Sequence, residues 1–276
     1  MRPNQTFWIL AFTLIFVSCR KNPPTPTPAT PGKKILLKDI TIPHLPSPYY
    51  HFEYNADSSV AKVDFDSGLT MYDVFYNGSK ISEMRNNIIV NHDTLRYMYD
   101  NAGKLFLIKF IKETNVTYRH VFFTYDGDQV KEIDWDHAEG NVGYLIDRVM
   151  KFTYYPDGNV KTIADRRPAH DIVPESNSTT LFEQYDDKIN VDDLDLTHDG
   201  IHDHLFLFQG FRLQRNNARK ETFSGSSADN VVGYTVNYNY TYNSDGTPSG
   251  KAGTLLYTAG TQAGQQFQVS TSYSYY

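Results

Sequence analysis

One short string recurs along this chain, and it permits little besides a β-meander. It reads Tyr76-Asn77-Gly78, Tyr99-Asp100-Asn101-Ala102-Gly103, Tyr125-Asp126-Gly127 and Tyr155-Pro156-Asp157-Gly158, each followed by Ile81, Leu105, Val130 or Val160. Degenerate copies stand at Tyr54-Asn55-Ala56-Asp57, Tyr185-Asp186-Asp187 and Tyr242-Asn243-Ser244-Asp245-Gly246. Asn or Asp close before Gly supplies the positive φ of a tight hairpin turn, and the apolar residue after it resumes a strand opposite the Tyr. The Tyr spacings of 22, 23, 26, 30, 30 and 57 suit two strands with a turn at each end. The last gap holds two units, with Asn216-Asn217 as a worn copy near its middle.

Between the tips the period is two. Tyr234, Val236, Tyr238, Tyr240 and Tyr242 share one face, and Thr235, Asn237, Asn239 and Thr241 share the other. Five large side chains on one strand cover too much apolar area to stay wet, so that face is expected inside. A content of 21 Tyr and 17 Phe against 2 Trp fits strands rather than helices. The expected fold is all-β: an antiparallel up-and-down meander of about 14–16 strands, rolled or barrel-like, built from repeated hairpins.

The N-terminus carries an address. Phe7–Val17 is apolar but for Thr13, yet eleven helical residues span only about 16 Å, too short for a bilayer. The stretch fits the apolar region of an export signal. The only cysteine, Cys19, follows Ser18, and the pattern resembles a bacterial lipoprotein signal whose cysteine is lipidated. Phe16 and Val17 depart from the usual leucine and small residue. Residues 20–34 then alternate Pro with Thr, a polyproline-like stalk reaching about 45 Å. The chain therefore divides into a signal peptide (1–18), a lipidated Cys with Pro/Thr-rich stalk (19–34) and a single repeat-built β domain (35–276). The net charge of -6 argues against nucleic-acid binding, and one cysteine allows neither an internal disulfide nor a zinc finger.

The Tyr-Asp-x-x-Gly-x-Val/Leu tips resemble the YD repeats of RHS-type proteins. With the lipid signal and stalk, the chain resembles a Bacteroidota lipoprotein family of unknown function described as having a porin-like fold. Residues 185–191 and 215–220 look like that family's mid-domain signature, although the family usually has proline where Ile189 or Val191 stands here. The resemblance covers about residues 50–276. It implies a fold and an envelope location, and no activity.

Two clusters have ligand-like composition. In Thr197–His204, three imidazoles (His198, His202 and His204) could hold zinc with Asp199 or Asp203; a solvated polar loop is the preferred reading, and no metal or cofactor is expected. In the second, Asp134 and Asp136 share a strand face beside Trp135, the composition of a sugar site or of a glycosidase. The same string is also what a hairpin end looks like. Both clusters are expected on long connections, at 134–147, 164–180 and 195–204, where binding surfaces usually lie.

No nucleophile elbow or P-loop is present. The expectation is a non-catalytic envelope lipoprotein, a β-scaffold whose loops bind a glycan or an envelope protein, anchored to the outer membrane by its lipid. The absence of an acidic run after Cys19 favours the periplasmic face. One alternative is a polysaccharide hydrolase using the acidic cluster. Another is an integral outer-membrane barrel, which the aliphatic-poor, Tyr-rich strand faces argue against.

Overall fold

The computed structural model describes residues 34–140, 142–170, 172–197, 212–228 and 230–276. Cys19, the signal and the stalk up to residue 33 lie outside the described residues, as do His198, His202 and His204. The unit formed by Ile35–Tyr276 is the repeat-built body.

The repeats fold into sixteen strands among the described residues. The first eight are β1 (Leu37–Thr41), β2 (Tyr50–Tyr54), β3 (Val60–Phe65), β4 (Thr70–Asn77), β5 (Lys80–Asn86), β6 (Thr94–Tyr99), β7 (Leu105–Ile111) and β8 (Thr117–Asp126). Then come β9 (Gln129–Glu139), β10 (Gly143–Tyr154), β11 (Val160–Arg167) and β12 (Ser176–Glu183). One helical turn, α1 (Leu194–Thr197), precedes β13 (Lys220–Ser227), β14 (Asn230–Tyr242), β15 (Pro248–Ala259) and β16 (Gln266–Tyr275). Every strand pairs antiparallel with its sequence neighbours, and β1 pairs with β16, so the meander closes into a barrel. The even strand count brings the start of β1 and the end of β16 to the end that carries the Tyr turns, here called the tip end. The opposite end is the rim.

The tips form as their chemistry requires. Gly103, Gly127 and Gly158 have φ of 84°, 57° and 87°. Tyr54, Tyr76, Tyr99 and Tyr125 pair with Val60, Ile81, Leu105 and Val130. Each of these Tyr follows a register shift, and a bulge re-aims a side chain. The freed hydroxyl reaches back one repeat and donates to the residue that resumed the previous ladder. Tyr76 reaches the Val60 carbonyl (3.0 Å), Tyr99 that of Ile81 (2.9 Å), Tyr125 that of Leu105 (2.7 Å) and Tyr154 that of Val130 (2.8 Å). A row of identical latches thus ties hairpin to hairpin.

Three details differ from the sequence expectation. Tyr154, not Tyr155, pairs with Val160, and Tyr155 turns to the Phe182 carbonyl instead (3.0 Å). Tyr185 and Asn216-Asn217 do not form hairpins of their own: β12 pairs directly with β13, and residues 184–219 form one long connection between them. In that connection the two suspected copies meet, through an Ile189–Asn216 bridge and a hydrogen bond from the Asn217 amide to Asp186 (3.2 Å). Finally, 134–147 and 164–180 are mostly strand, not loop, because the ladders β9–β10, β11–β12 and β12–β13 extend into them.

Along β2–β9 side-chain polarity is mostly apolar inside and polar outside. Phe52, Val63, Tyr72, Met84, Leu95, Ile108, Phe110, Val121 and Ile133 point inward into one contiguous core. Their strand neighbours form an outward belt in which Glu53 lies opposite Lys62, Lys62 opposite Asp73, and Asp73 opposite Arg85. The belt continues through Glu83, Arg96, Lys109 and His120 to Asp136. Of the apolar residues on this face, Phe75 lies under the Arg85 guanidinium (4.3 Å) and Phe122 packs beside His120.

Candidate ligand cavity and its rim

A sixteen-stranded wall encloses more volume than small side chains can fill. Along β2–β9 the inward positions are large and fully buried. Along β12 and β13 they include Ser176, Ser178, Thr180, Gly225 and Ser227, and volume is left open. The result is a cavity of about 570 Å³ between β10 and β15, within the usual size of small-molecule sites. It runs from a buried floor at the tip end, including Asn190, Asp192 and Gln214, to exposed Asn230 and Val232 at the rim. The Tyr face of β14 faces inward as its alternation predicted, with Tyr234, Tyr238 and Tyr240 on the cavity wall.

The floor belongs to the long connection. Asp193 grips it by accepting from the Leu213 and Gln214 amides (2.8 and 3.2 Å) and from Asn190 Nδ2 (2.6 Å). Burial pushes the Asp193 carboxyl up to about 7, against the pull of these amides and with the neighbouring Asp192 adding to the rise. Buried Asn159, from the β10–β11 turn, accepts from the Arg215 and Asn216 amides (2.8 and 2.9 Å) and pins the returning chain.

Three polar groups line the walls. Arg148 donates twice to Asp165 (3.0 and 2.8 Å) with its guanidinium 4.9 Å from the Trp135 ring centre, and Arg167 approaches the same Asp165 oxygen (3.4 Å). Glu221 accepts from Tyr234 (3.0 Å) and Tyr238 (3.3 Å). Lys251 lies 3.6 Å from Asp192, which also accepts from Tyr273 (3.0 Å). Among the buried atoms on the lining, Gln214 Nε2 and Asp165 Oδ1 have no hydrogen-bond partner among the described residues. Such groups are costly and uncommon in folded proteins.

The rim differs from the tips in what it exposes. Successive rim turns carry Leu69, Ile89, Val116, Val142 and Ile172 in the open, with Ile89 and Ile172 each 96% exposed. Inside the rim, His137 pairs with Asp147 (2.5 Å) and Glu139 (3.1 Å), with His170 beside it. Burial works against the charge on His137, but the two carboxylates outweigh it and hold its pKa above the ordinary value.

The acidic cluster found by sequence is split by the wall. Trp135 is inside and 1% exposed, whereas Asp134 and Asp136 face out, sharing a face as the alternation predicted. All three stand in β9, so they are not loop residues. Asp136 accepts from the His120 amide (2.8 Å) and pairs with its ring (3.0 Å). Asp134 borders an outer groove with Glu132, Lys151 and Arg166, and burial, then the nearby Glu132, raises its pKa. The cavity residues Arg148, Asp192, Gln214, Glu221 and Lys251 had not stood out in the sequence. The signal that could have found them is the run of small inward residues in Ser176–Thr180 and Ser224–Ser227, opposite the tyrosines of β14.

No family model and no curated protein matches this chain. Solved structures do. A porin-like protein from Bacteroides uniformis ATCC 8492 is 14% identical, with a TM-score of 0.57 over 82% of this chain and 89% of its own. A porin-like protein from Bacteroides vulgatus ATCC 8482 is 16% identical, also with a TM-score of 0.57, over 88% of this chain and 99% of its own. At these identities the likeness is one of fold: a closed porin-like barrel, as the resemblance to the porin-like family implied.

Proposed function

We propose that this chain is a non-catalytic envelope lipoprotein, a water-exposed barrel that presents its rim and cavity to a glycan or protein partner. The observation that carries the reading is the polarity of the wall. A barrel embedded in a membrane needs an outward apolar band about 25 Å tall, with its polar residues inside. Here, along β2–β7, the outward positions hold Glu53, Lys62, Asp73, Arg85, Arg96 and Lys109, and the core behind them is mostly apolar, the polar interior being concentrated in the cavity on the other side. Attachment then falls to lipid on Cys19. The exposed aliphatic residues of the rim support a binding role for that end, because clustered apolar exposure marks interaction surfaces.

One experiment tests anchor and barrel together. The wild-type chain should fractionate with membranes, and Cys19→Ala should move to the soluble fraction without detergent, folded by circular dichroism. An integral barrel would stay in the membrane whether or not Cys19 is present, and that result would end the reading.

A further inference from the structure

We infer that the cavity between β10 and β15 is a binding site for a short neutral oligosaccharide, entering from the rim. The inference rests on the reading of the barrel as a water-exposed binding scaffold and adds the chemical class of ligand. Charge comes first. The lining holds three cations (Arg148, Arg167, Lys251) and three anions (Asp165, Asp192, Glu221), so it offers no surplus of either sign to an ionic ligand. Those charges engage one another or tyrosine hydroxyls.

Surface chemistry comes next. Phe223 and Tyr234 stack with ring centres 4.8 Å apart and planes 10° from parallel, giving an extended aromatic wall, and Tyr238 and Tyr240 continue it toward the floor. Hydroxyls and amides of Ser176, Ser178, Thr180 and Gln214 also line the space. A lipid would leave these polar groups unmatched, at a cost for each. A sugar presents apolar C–H faces to aromatic rings and hydroxyls around its edge.

The two orphaned atoms sharpen the choice. Gln214 Nε2 on the floor needs an acceptor, and Asp165 Oδ1 on the wall needs a donor. Hydroxyl groups serve as both. Gln214 is 5% exposed, so its unmet donor lies in a place bulk water reaches poorly.

Isothermal titration calorimetry on the full chain with maltotriose, cellotriose, mannotriose and xylotriose tests this, with trigalacturonate and palmitate as comparisons. At least one of the four neutral trisaccharides should bind one to one. Ser178→Trp, which fills the cavity, should abolish the heat. Gln214→Leu should weaken binding at least about tenfold without lowering the melting temperature, since replacing an unmet buried donor by an apolar group costs the fold little. A structural role for Gln214 would lower the melting temperature instead. Should Ser178→Trp fail to fold, Gln214→Leu decides alone. Silence from all four sugars, binding of trigalacturonate or palmitate only, or sugar binding that survives both substitutions would overturn the inference. A chain soluble without detergent but silent to sugars overturns only the cavity assignment; one that stays folded only in detergent overturns the scaffold reading as well.

Discussion

The two sides of this barrel are built on one hairpin rule and filled by two different ones. From β2 to β9 the inward residues are mostly Phe, Tyr, Met, Ile, Leu and Val, with Trp135, Thr70 and Asn86 among them, and the interior is close-packed. From β11 to β15 the same wall continues with the same pairing, yet Ser176, Ser178 and Thr180 stand where bulk would be needed, and Glu221, Tyr234 and Tyr238 are only half-buried. Backbone hydrogen bonding sets the wall and is indifferent to what lies behind it. One side can therefore supply stability while the other keeps volume open.

If that division is real, truncations should separate the sides most. Phe110→Ala, in the dry half, should cost about 3–5 kcal/mol. Tyr238→Ala, on the cavity wall, should cost about 1 kcal/mol. Chemical denaturation measures both, and equal costs would mean that the open side is packed after all. Enlargement should separate them in the opposite sense and by less. Val121→Phe forces a bulky ring into a filled core and should cost about 1–3 kcal/mol. Thr180→Phe has space to enter and should stay within about 0.5 kcal/mol.

A further effect, read against pH, concerns the floor that divides the open side from the tips. Asp193 titrates near 7 in the fold and near its ordinary 3.8 when unfolded, so the folded state holds the proton more tightly. Its contribution is fully present below about pH 4 and is lost as the pH rises through about 7. Asp193→Asn should flatten that stretch of the stability profile, read as melting temperature against pH.

Much of the dry side was legible in the sequence. Tyr76, Tyr99 and Tyr125 announce their turns because hairpin chemistry is local: an Asx-Gly pair and an apolar partner lie within six residues. The latches from those hydroxyls were not legible, since Tyr125 and Leu105 come together only after bulges re-aim the side chain. The cavity was hidden for a related reason. It consists of volume not filled, and no single residue marks that. The Asp134-Trp135-Asp136 string misled because composition does not say which side of the wall a residue faces, and Trp135 faces away from both acids.

The even number of strands carries a consequence for access. Tyr276 donates its amide to the Leu36 carbonyl (3.1 Å) and its hydroxyl to that of Phe52 (3.0 Å), so the last residue is fastened beside the first strand of the body. Leu36 and Tyr276 therefore share the tip end, and neither stands in the mouth through which the cavity opens. An odd strand count would have put them at opposite ends, with one of them beside the entrance.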